Sequence, residues 1–383
     1  MQSKLLLIPV GALLIAACGS DESAGVDLDA VVQTYADGVH ASYTASLASA
    51  TAMDSAVDAF VAAPTDETLT AAKDAWLAAR DDYGPTEAFR FYGGPIDAEE
   101  DGVEGLLNAW PMDEAYVDYV EGAPESGIIN DAATYPTIDA ALLLDSNEAG
   151  GEANISTGWH AIEFLLWGQD LSLDGPGARP AADYVDAPNA DRRGTYLGVV
   201  SDLLLEHLGG LVDAWDPAAD GNYYDEFLAL DSKVALTNII TGIGELSRGE
   251  LAGERMNVAF AERSQEDEHS CFSDNTTSDI VANARGIQMV LLANYPGTAG
   301  GTSVLDALRS VDAELATTLE TQVAASVAAV QAIPAPFDQH LIDGVADSEP
   351  GRASILVGIE ALEAQTPSIV AGATALGLTI NVT

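Results

Sequence analysis

Cysteine and basic residues are what this chain has least of. It holds 2 cysteines in 383 residues. Cys18 closes an N-terminal secretory pattern and Cys271 is the only thiol of the body, so no intrachain disulfide is available and stability has to come from packing. Lysine and arginine together number 14 against 61 acidic residues, a net charge of −47. That balance excludes nucleic acid and anionic lipid surfaces as partners, because both require a basic face. Adaptation to a salty habitat accounts for so acidic a surface. A diffuse field does not select a particular cation, since moderate salt screens it over about 8–10 Å. Long hydrophobic runs are also missing: beyond the N-terminal signal no window approaches the roughly twenty apolar residues of a membrane span. Strand-like alternation is scarce. There is no HExxH zinc motif, no GxSxG elbow, and no phosphate or dinucleotide loop in a strand-to-helix setting.

What is present begins with a signal. Lys4 precedes an apolar run of roughly a dozen residues that ends in small side chains at Cys18. Ile15-Ala16-Ala17-Cys18 resembles a lipobox, which implies cleavage before Cys18 and lipidation of its thiol. Residues 1–17 then form a lipoprotein signal peptide and 18–27 a lipidated tether in the envelope membrane. Gly19, where Asp would favour the inner membrane, points to the outer one.

Helix-period patterns fill the rest. Leu28, Val31, Val32, Tyr35 and Val39 make the first apolar stripe, and Pro64-Thr65-Asp66 turns into a second one through Leu69, Ala72, Trp76 and Tyr83. Gly84-Pro85 breaks it ahead of Thr86 to Tyr92, where Glu87 and Arg90 sit at i,i+3 beside Gly93-Gly94-Pro95. Residues 97–154 are loop-rich and long enough to wrap a site. Later helices are expected over Asp191 to Trp215, Phe227 to Leu246, Ser278 to Ala293 with Thr277 or Ser278 as cap, and Val304 to Ile333 as one Ala-rich rod. Phe337 to Val345, Arg352 to Leu362 and Ser368 to Leu376 complete the series. Short turns between long stripes indicate an all-α protein of two up-and-down helical bundles packed together, 28–218 and 219–383, with the boundary in the turn-rich Asp216 to Asn222.

The stretch that organises the chain is NISTGWHAIEFLLWGQD, Asn154 to Asp170. Ser156 or Thr157 can cap its helix and Gly168 can end it. Trp159, Ile162, Phe164, Leu165, Leu166 and Trp167 leave no polar face, so the helix is buried. His160 and Glu163 lie three apart on one face, and ionisable groups in that environment need a partner or a metal. A second polar stretch, Glu262 to Thr276, carries Glu266, Glu268, His269, Cys271 and Asp274. As a charge run its plain reading is a solvated surface, and Cys271 reads as a buried structural thiol. Trp76, Tyr83, Phe89 and Trp159 read as core.

WLAARDDYGPTEAFRFYGGPID, GWHAIEFLLWG, GPGARPAADYV and EDEHSCFSDNT followed by DIVANARGIQMVLLANY resemble the imelysin-like family (GxHxxE, peptidase M75 type), in particular its iron-regulated protein A branch. The resemblance runs from about residue 30 to the C-terminus. It implies two helical bundles, a bacterial envelope location, and a part in iron or other metal uptake with iron-transport partners. Gly158, His160 and Glu163 occupy the GxHxxE positions, Glu87 and Arg90 fall in the TEAFR block, and Glu268, His269 and Asp274 in the EDEHS and SDN blocks.

One nitrogen and one oxygen from HxxE do not complete a metal site, so further ligands have to come from Glu87, Glu266, Glu268, His269 or Asp274, an oxygen-rich set that suits iron or manganese at least as well as zinc. The expectation is a metal ion or metal complex, iron favoured, held by His160, Glu163, Glu87 and His269. Arg90, Gly158, Glu268 and Asp274 are expected to contact the bound species, and the Glu266 to Asp274 segment to lie beside His160 where the bundles meet. The Glu-x-x-His order of Glu266 and His269 matches ligands projecting from facing helices. Two alternatives stay open: a metal-dependent peptidase, which the missing HExxH disfavours, and a metal-free core in which His160, Glu163 and Arg90 satisfy one another.

Overall fold

The computed structural model describes residues 26–382. The signal peptide, Cys18 and most of the tether lie outside the described residues. Among those described, the chain is helical with no strand beyond one isolated bridge, Val120 with Ala123. No described helix is long and apolar enough to cross a membrane.

Asp27 caps the first helix, Leu28–Ala62, by accepting from the Asp29 amide. Val31, Val32, Tyr35, Val39 and Tyr43 are buried along it, the 3–4 spacing seen in the sequence. Thr65 caps Asp66–Tyr83 and Thr68 reciprocates at N3, forming a capping box that sets the turn between the two. Gly158–Trp167 and Ala190–Ala214 complete the N-terminal bundle. Residues 97–154 wrap around it in short turns. Asp118 pins this wrap: its fully buried carboxylate accepts from Arg179 Nη1 at 2.6 Å and from Arg193 Nε and Nη2 at 2.6 and 2.9 Å.

The C-terminal bundle packs Ser232–Glu245, Leu246–Val258, Thr276–Leu292, Ala313–Gln331 and Pro350–Ala375 together. The bundles meet where the 3-10 turn Gly84–Phe89 lies on Thr276–Leu292. This contact needs small residues. A Cβ on Gly84 would come within 2.5 Å of the Ala282 Cβ, and one on Gly286 would run into the backbone of Pro85. Asn283 Nδ2 donates to the Gly84 carbonyl at 3.0 Å and locks the register.

Several elements differ from the sequence pattern. The expected rod from Val304 to Ile333 breaks after Val311, because Asp312 caps a new helix by accepting from the Leu315 amide. The expected separate helices Arg352 to Leu362 and Ser368 to Leu376 are one, Pro350–Ala375, running through Pro367. Buried Leu362, Gln365, Thr366 and Ile369 on either side hold it in place, so packing overrides the local cost of proline. Asp231 caps Ser232–Glu245 after a break in the expected Phe227 to Leu246 run. That helix then passes into a wide, π-helical segment, Leu246–Val258. Thr276–Leu292 starts after Asn275 with no side-chain cap, and neither Thr277 nor Ser278 serves as one.

Candidate functional site

The Gly158–Trp167 helix is buried along its whole length. It begins on Gly158 at φ 82°, a left-handed backbone that brings the carbonyls of Leu106 and Leu107 against its Cα. Gly168 at φ 72° ends it. Within it His160 Nδ1 faces Glu163 Oε2 at 2.9 Å. Glu163 Oε1 accepts from the Ser273 amide at 2.9 Å and its hydroxyl at 2.6 Å. Both Glu163 oxygens are therefore engaged, and the carboxylate orients an imidazole; it does not stand free as a ligand. His160 Nε2 is buried without a partner.

The Glu262 to Thr276 stretch arrives beside this helix. Its His269 ring meets the His160 ring edge to face, with centroids 4.7 Å apart. His269 Nδ1 donates to Asp279 Oδ2 at 2.8 Å, leaving Nε2 toward the Asn108 amide at 3.5 Å. Each imidazole is held at Nδ1 by a carboxyl group, which leaves His160 Nε2 without a partner and His269 Nε2 with only the long contact to Asn108. In metal sites such a carboxylate behind the imidazole fixes tautomer and ring direction. The Glu-x-x-His pattern itself is not on a helix, since Gln265–Asp267 is a 3-10 turn and Glu268 is extended, so Glu266 does not share a helical face with His269.

Glu87 sits behind this pair. Its Oε2 accepts from Arg90 Nη1 at 2.7 Å and Arg255 Nη2 at 2.6 Å, and its Oε1 from Asn108 at 3.3 Å. Arg90 pairs with Glu87, Glu104 and Glu250, so it is not the group that satisfies His160 and Glu163. Arg80 and Asp279, absent from the sequence expectation, tie the network together. Arg80 donates to Asp279 Oδ2 at 2.8 Å and to Asn108 Oδ1 at 2.7 Å, and its guanidinium lies against Trp76, Tyr83 and Trp159.

Electrostatics follow from this packing. Burial drives the His160 pKa down to about 3, with Arg80 adding to it, and burial with Arg255 does the same to His269. Both rings are neutral near pH 7, the form in which an imidazole binds a metal. Burial raises Glu163 to about 8. Burial also acts to raise Glu87 and Asp279, but the guanidinium groups of Arg90 and Arg255 beside the first, and Arg80 beside the second, overcome it and hold both carboxyls below the usual range.

A cleft of about 350 Å³ leads from the surface to His269, Asn108, Arg90 and Arg255. Trp110-Pro111 walls one side, with the Trp110 indole donating to the Glu268 carbonyl at 2.6 Å. Glu104, Glu148, Glu152, Glu250 and Glu254 line it, so its mouth is acidic and draws cations. Glu250 and Arg255 reach each other at 3.1 Å across a five-residue step of the π-helical segment.

His160 and His269 are the candidate metal ligands of this cluster. The buried Nε2 of His160 lacks a partner whichever nitrogen carries the proton, a state that costs about 1–3 kcal/mol. A neutral His269 lies next to it. Glu163 and Glu87 are occupied, and Glu104 and Glu250 in the cleft wall pair with Arg90 and Arg255, so the groups of this set left to contact a metal are His160 and His269. Glu268 and Asp274 turn to the other side of the same loop, toward Asp170 and Asp338.

Comparison with known proteins agrees with this architecture. The imelysin family model, peptidase M75, matches residues 39–369. An iron-regulated protein A of Synechococcus elongatus is 27% identical over 368 residues, covering 94% of this chain and 88% of that protein. Among solved structures, an iron-regulated protein A precursor from Parabacteroides distasonis superposes with a TM-score of 0.71 at 20% identity, covering 91% of this chain and 95% of that one. An imelysin-like protein from Psychrobacter arcticus gives a TM-score of 0.61 at 14% identity over 93% and 98% of the two chains.

Proposed function

The chain belongs to the imelysin family, and from that premise we propose that it binds a metal ion through the Nε2 atoms of His160 and His269. The observation that carries this reading is the pair of abutting, neutral imidazoles, each fixed at Nδ1 by a carboxyl group, with a buried and unpartnered Nε2 on His160. Imidazole nitrogen suits the later first-row divalent metals including ferrous iron. The relatives named for iron regulation favour iron. A cation at Nε2 favours the ionised form of Glu163, whose negative charge then offsets that of the metal in a dry site. Burial, with Arg80 and Arg255 adding to it, keeps the imidazoles unprotonated, and the acidic cleft raises the local cation concentration. In this reading the protein is an envelope lipoprotein anchored through Cys18 that serves iron acquisition.

The test is metal analysis and calorimetric titration of the mature protein with ferrous iron, manganese and zinc. Wild type is expected to bind one equivalent. His160→Ala and His269→Ala each abolish it, and Glu163→Gln weakens it by about 10–100-fold, the usual cost of losing an orienting partner. Wild type that takes up none of the three metals, with both alanine variants merely less stable, overturns the reading in favour of a self-satisfied polar core. Metal-dependent cleavage of an unfolded protein that disappears in Glu163→Gln overturns it in favour of a peptidase. Cys18→Ser is expected to move the protein from the membrane to the soluble fraction.

A further inference from the structure

On the opposite side of the 268–275 loop from the histidines, three aspartates come together. Asp170 follows the Gly158–Trp167 helix, Asp274 sits in the loop at φ 58°, and Asp338 starts a 3-10 turn in the C-terminal bundle. One carboxylate oxygen from each lies within 4.8 Å of the others. Glu268 adjoins them, its carboxyl raised by burial and by Asp338, Asp274 and Asp170 against the lowering effect of a Thr276 hydrogen bond. The excess acid of this chain is mostly exposed and hydrated, but Asp338, Glu268 and Asp170 are buried and Asp274 is half-buried. Asp338 is 1% exposed, just under the surface, and neither of its oxygens makes a well-formed hydrogen bond, with only the Gln339 amide and its own amide near the carboxylate. Glu268 is likewise 1% exposed with Oε1 unpartnered. Among the described residues no lysine, arginine or histidine forms an ion pair with any of the four, and the polar contacts present, Gln265 and the Ser172 amide on Asp170, Thr276 on Glu268 and the Gln339 amide on Asp338, do not neutralise charge.

Buried carboxylates are retained when they are paired or when they coordinate a cation. We propose that Asp170, Asp274 and Asp338, with Glu268, form a second metal site that takes a hard divalent cation of calcium's size. The donor set is oxygen only, which separates it from the imidazole pair. One carboxylate oxygen of each aspartate lies within 4.8 Å of the others, near enough for the three to converge on one cation. Magnesium dehydrates reluctantly and usually keeps several waters, so a site built from four protein carboxylates suits calcium better. The cation ties the end of the central helix to the loop and to the 3-10 turn. That loop carries His269 and Ser273, so this site braces the wall of the histidine site without sharing a ligand with it. The inference stands on its own residues, independent of metal binding at the histidines.

The experiment is thermal melting and calorimetric titration of the chelator-stripped mature protein with calcium, in a salt background that screens the diffuse acidic field. One equivalent of calcium is expected to bind and raise Tm by several degrees, with magnesium at the same concentration doing much less. Asp338→Asn and Asp274→Asn each lower calcium affinity at least about tenfold by removing ligand charge, while His160→Ala retains it. In chelator, Asp338→Asn melts no lower than wild type, because it removes one member of a crowd of like charges. Weak, multi-site calcium binding that neither asparagine variant changes overturns the proposal, as does an asparagine variant that melts lower in chelator yet binds calcium as wild type does. Tighter binding of magnesium than of calcium overturns the size assignment.

Discussion

Gly158→Ala isolates what the first residue of GxHxxE does. The substitution puts a Cβ on a residue at φ 82°, which costs an L-residue about 1–2 kcal/mol. It also drives that Cβ to 2.7 Å from the Leu107 carbonyl carbon and 2.9 Å from the Leu106 carbonyl oxygen, with the Leu107 oxygen closer still. These are backbone atoms, and they yield only if the turn carrying them shifts, a strain of the overpacking kind worth about 1–3 kcal/mol. The sum is about 2–5 kcal/mol. Gly93→Ala is the control: its φ is 72° and a Cβ there meets nothing within 4 Å, so it carries the conformational term alone. The reduced entropy of the unfolded chain is the same in both variants and cancels. Urea denaturation followed by circular dichroism, with m verified as unchanged, measures the difference. A further consequence concerns the site. Leu106 and Leu107 lead directly into Asn108, which touches Arg80, Glu87 and His269, so metal affinity is expected to fall in Gly158→Ala and not in Gly93→Ala. Equal stability losses in the two variants would falsify the clash argument, and unchanged metal binding in Gly158→Ala would refute the link to Asn108.

Asp118→Asn leaves two buried guanidinium groups short of their counter-charge and is expected to cost about 3–5 kcal/mol in denaturant. Arg193 and Arg179 outweigh burial and depress the folded pKa of Asp118. Its stabilisation is therefore complete above the unfolded value of about 3.9 and is lost as pH falls through the lower folded value. The acid-melting curve of wild type below about pH 4 should be steeper than that of the asparagine variant, and parallel curves contradict the assignment. Asp312→Ala removes the cap that splits the expected rod and should lower stability by about 0.5–2 kcal/mol; no change in Tm means that the break is set elsewhere. Pro367→Ala, at an exposed position inside Pro350–Ala375, restores a helical N–H and is expected to raise stability by about 1–3 kcal/mol, whereas a loss shows that the proline is needed for the local path.

Local pattern was enough for much of the molecule. The stripe through Val31, Tyr35 and Val39, the Thr65 cap, and a central helix with no polar face were all legible, because each depends on residues within a turn or two of one another. The His160–Glu163 pair belongs to the same class, since i,i+3 on a helix is contact by construction. Arg255 was missed for a related reason. Five positions from Glu250, it is about 140° away on an α-helix, and only the wider π turn brings the two to one face. Arg80 and Asp279 each read as ordinary helix residues, and they become partners only when two helices from different bundles pack.

The sharpest division lies in Glu262 to Thr276. Its composition marked it as polar and chemically rich, and the charge run on its own reads as solvated surface. The tertiary structure leaves its first half, with Glu262 and Glu266, at the surface, buries most of it from Glu268 onward and sends those side chains two ways, His269 and Ser273 toward His160 and Glu163, Glu268 and Asp274 toward Asp170 and Asp338. An irregular segment has no repeat to tell one face from the other. Its side-chain directions are set by whatever long-range contacts remove each group from water, and Asp338 reaches this loop from the opposite end of the chain. The sequence by itself determined which residues could do chemistry here and which helices would carry them. Which groups pair, which oxygens are already spent, and that one polar loop serves two different clusters were decided by packing between the bundles.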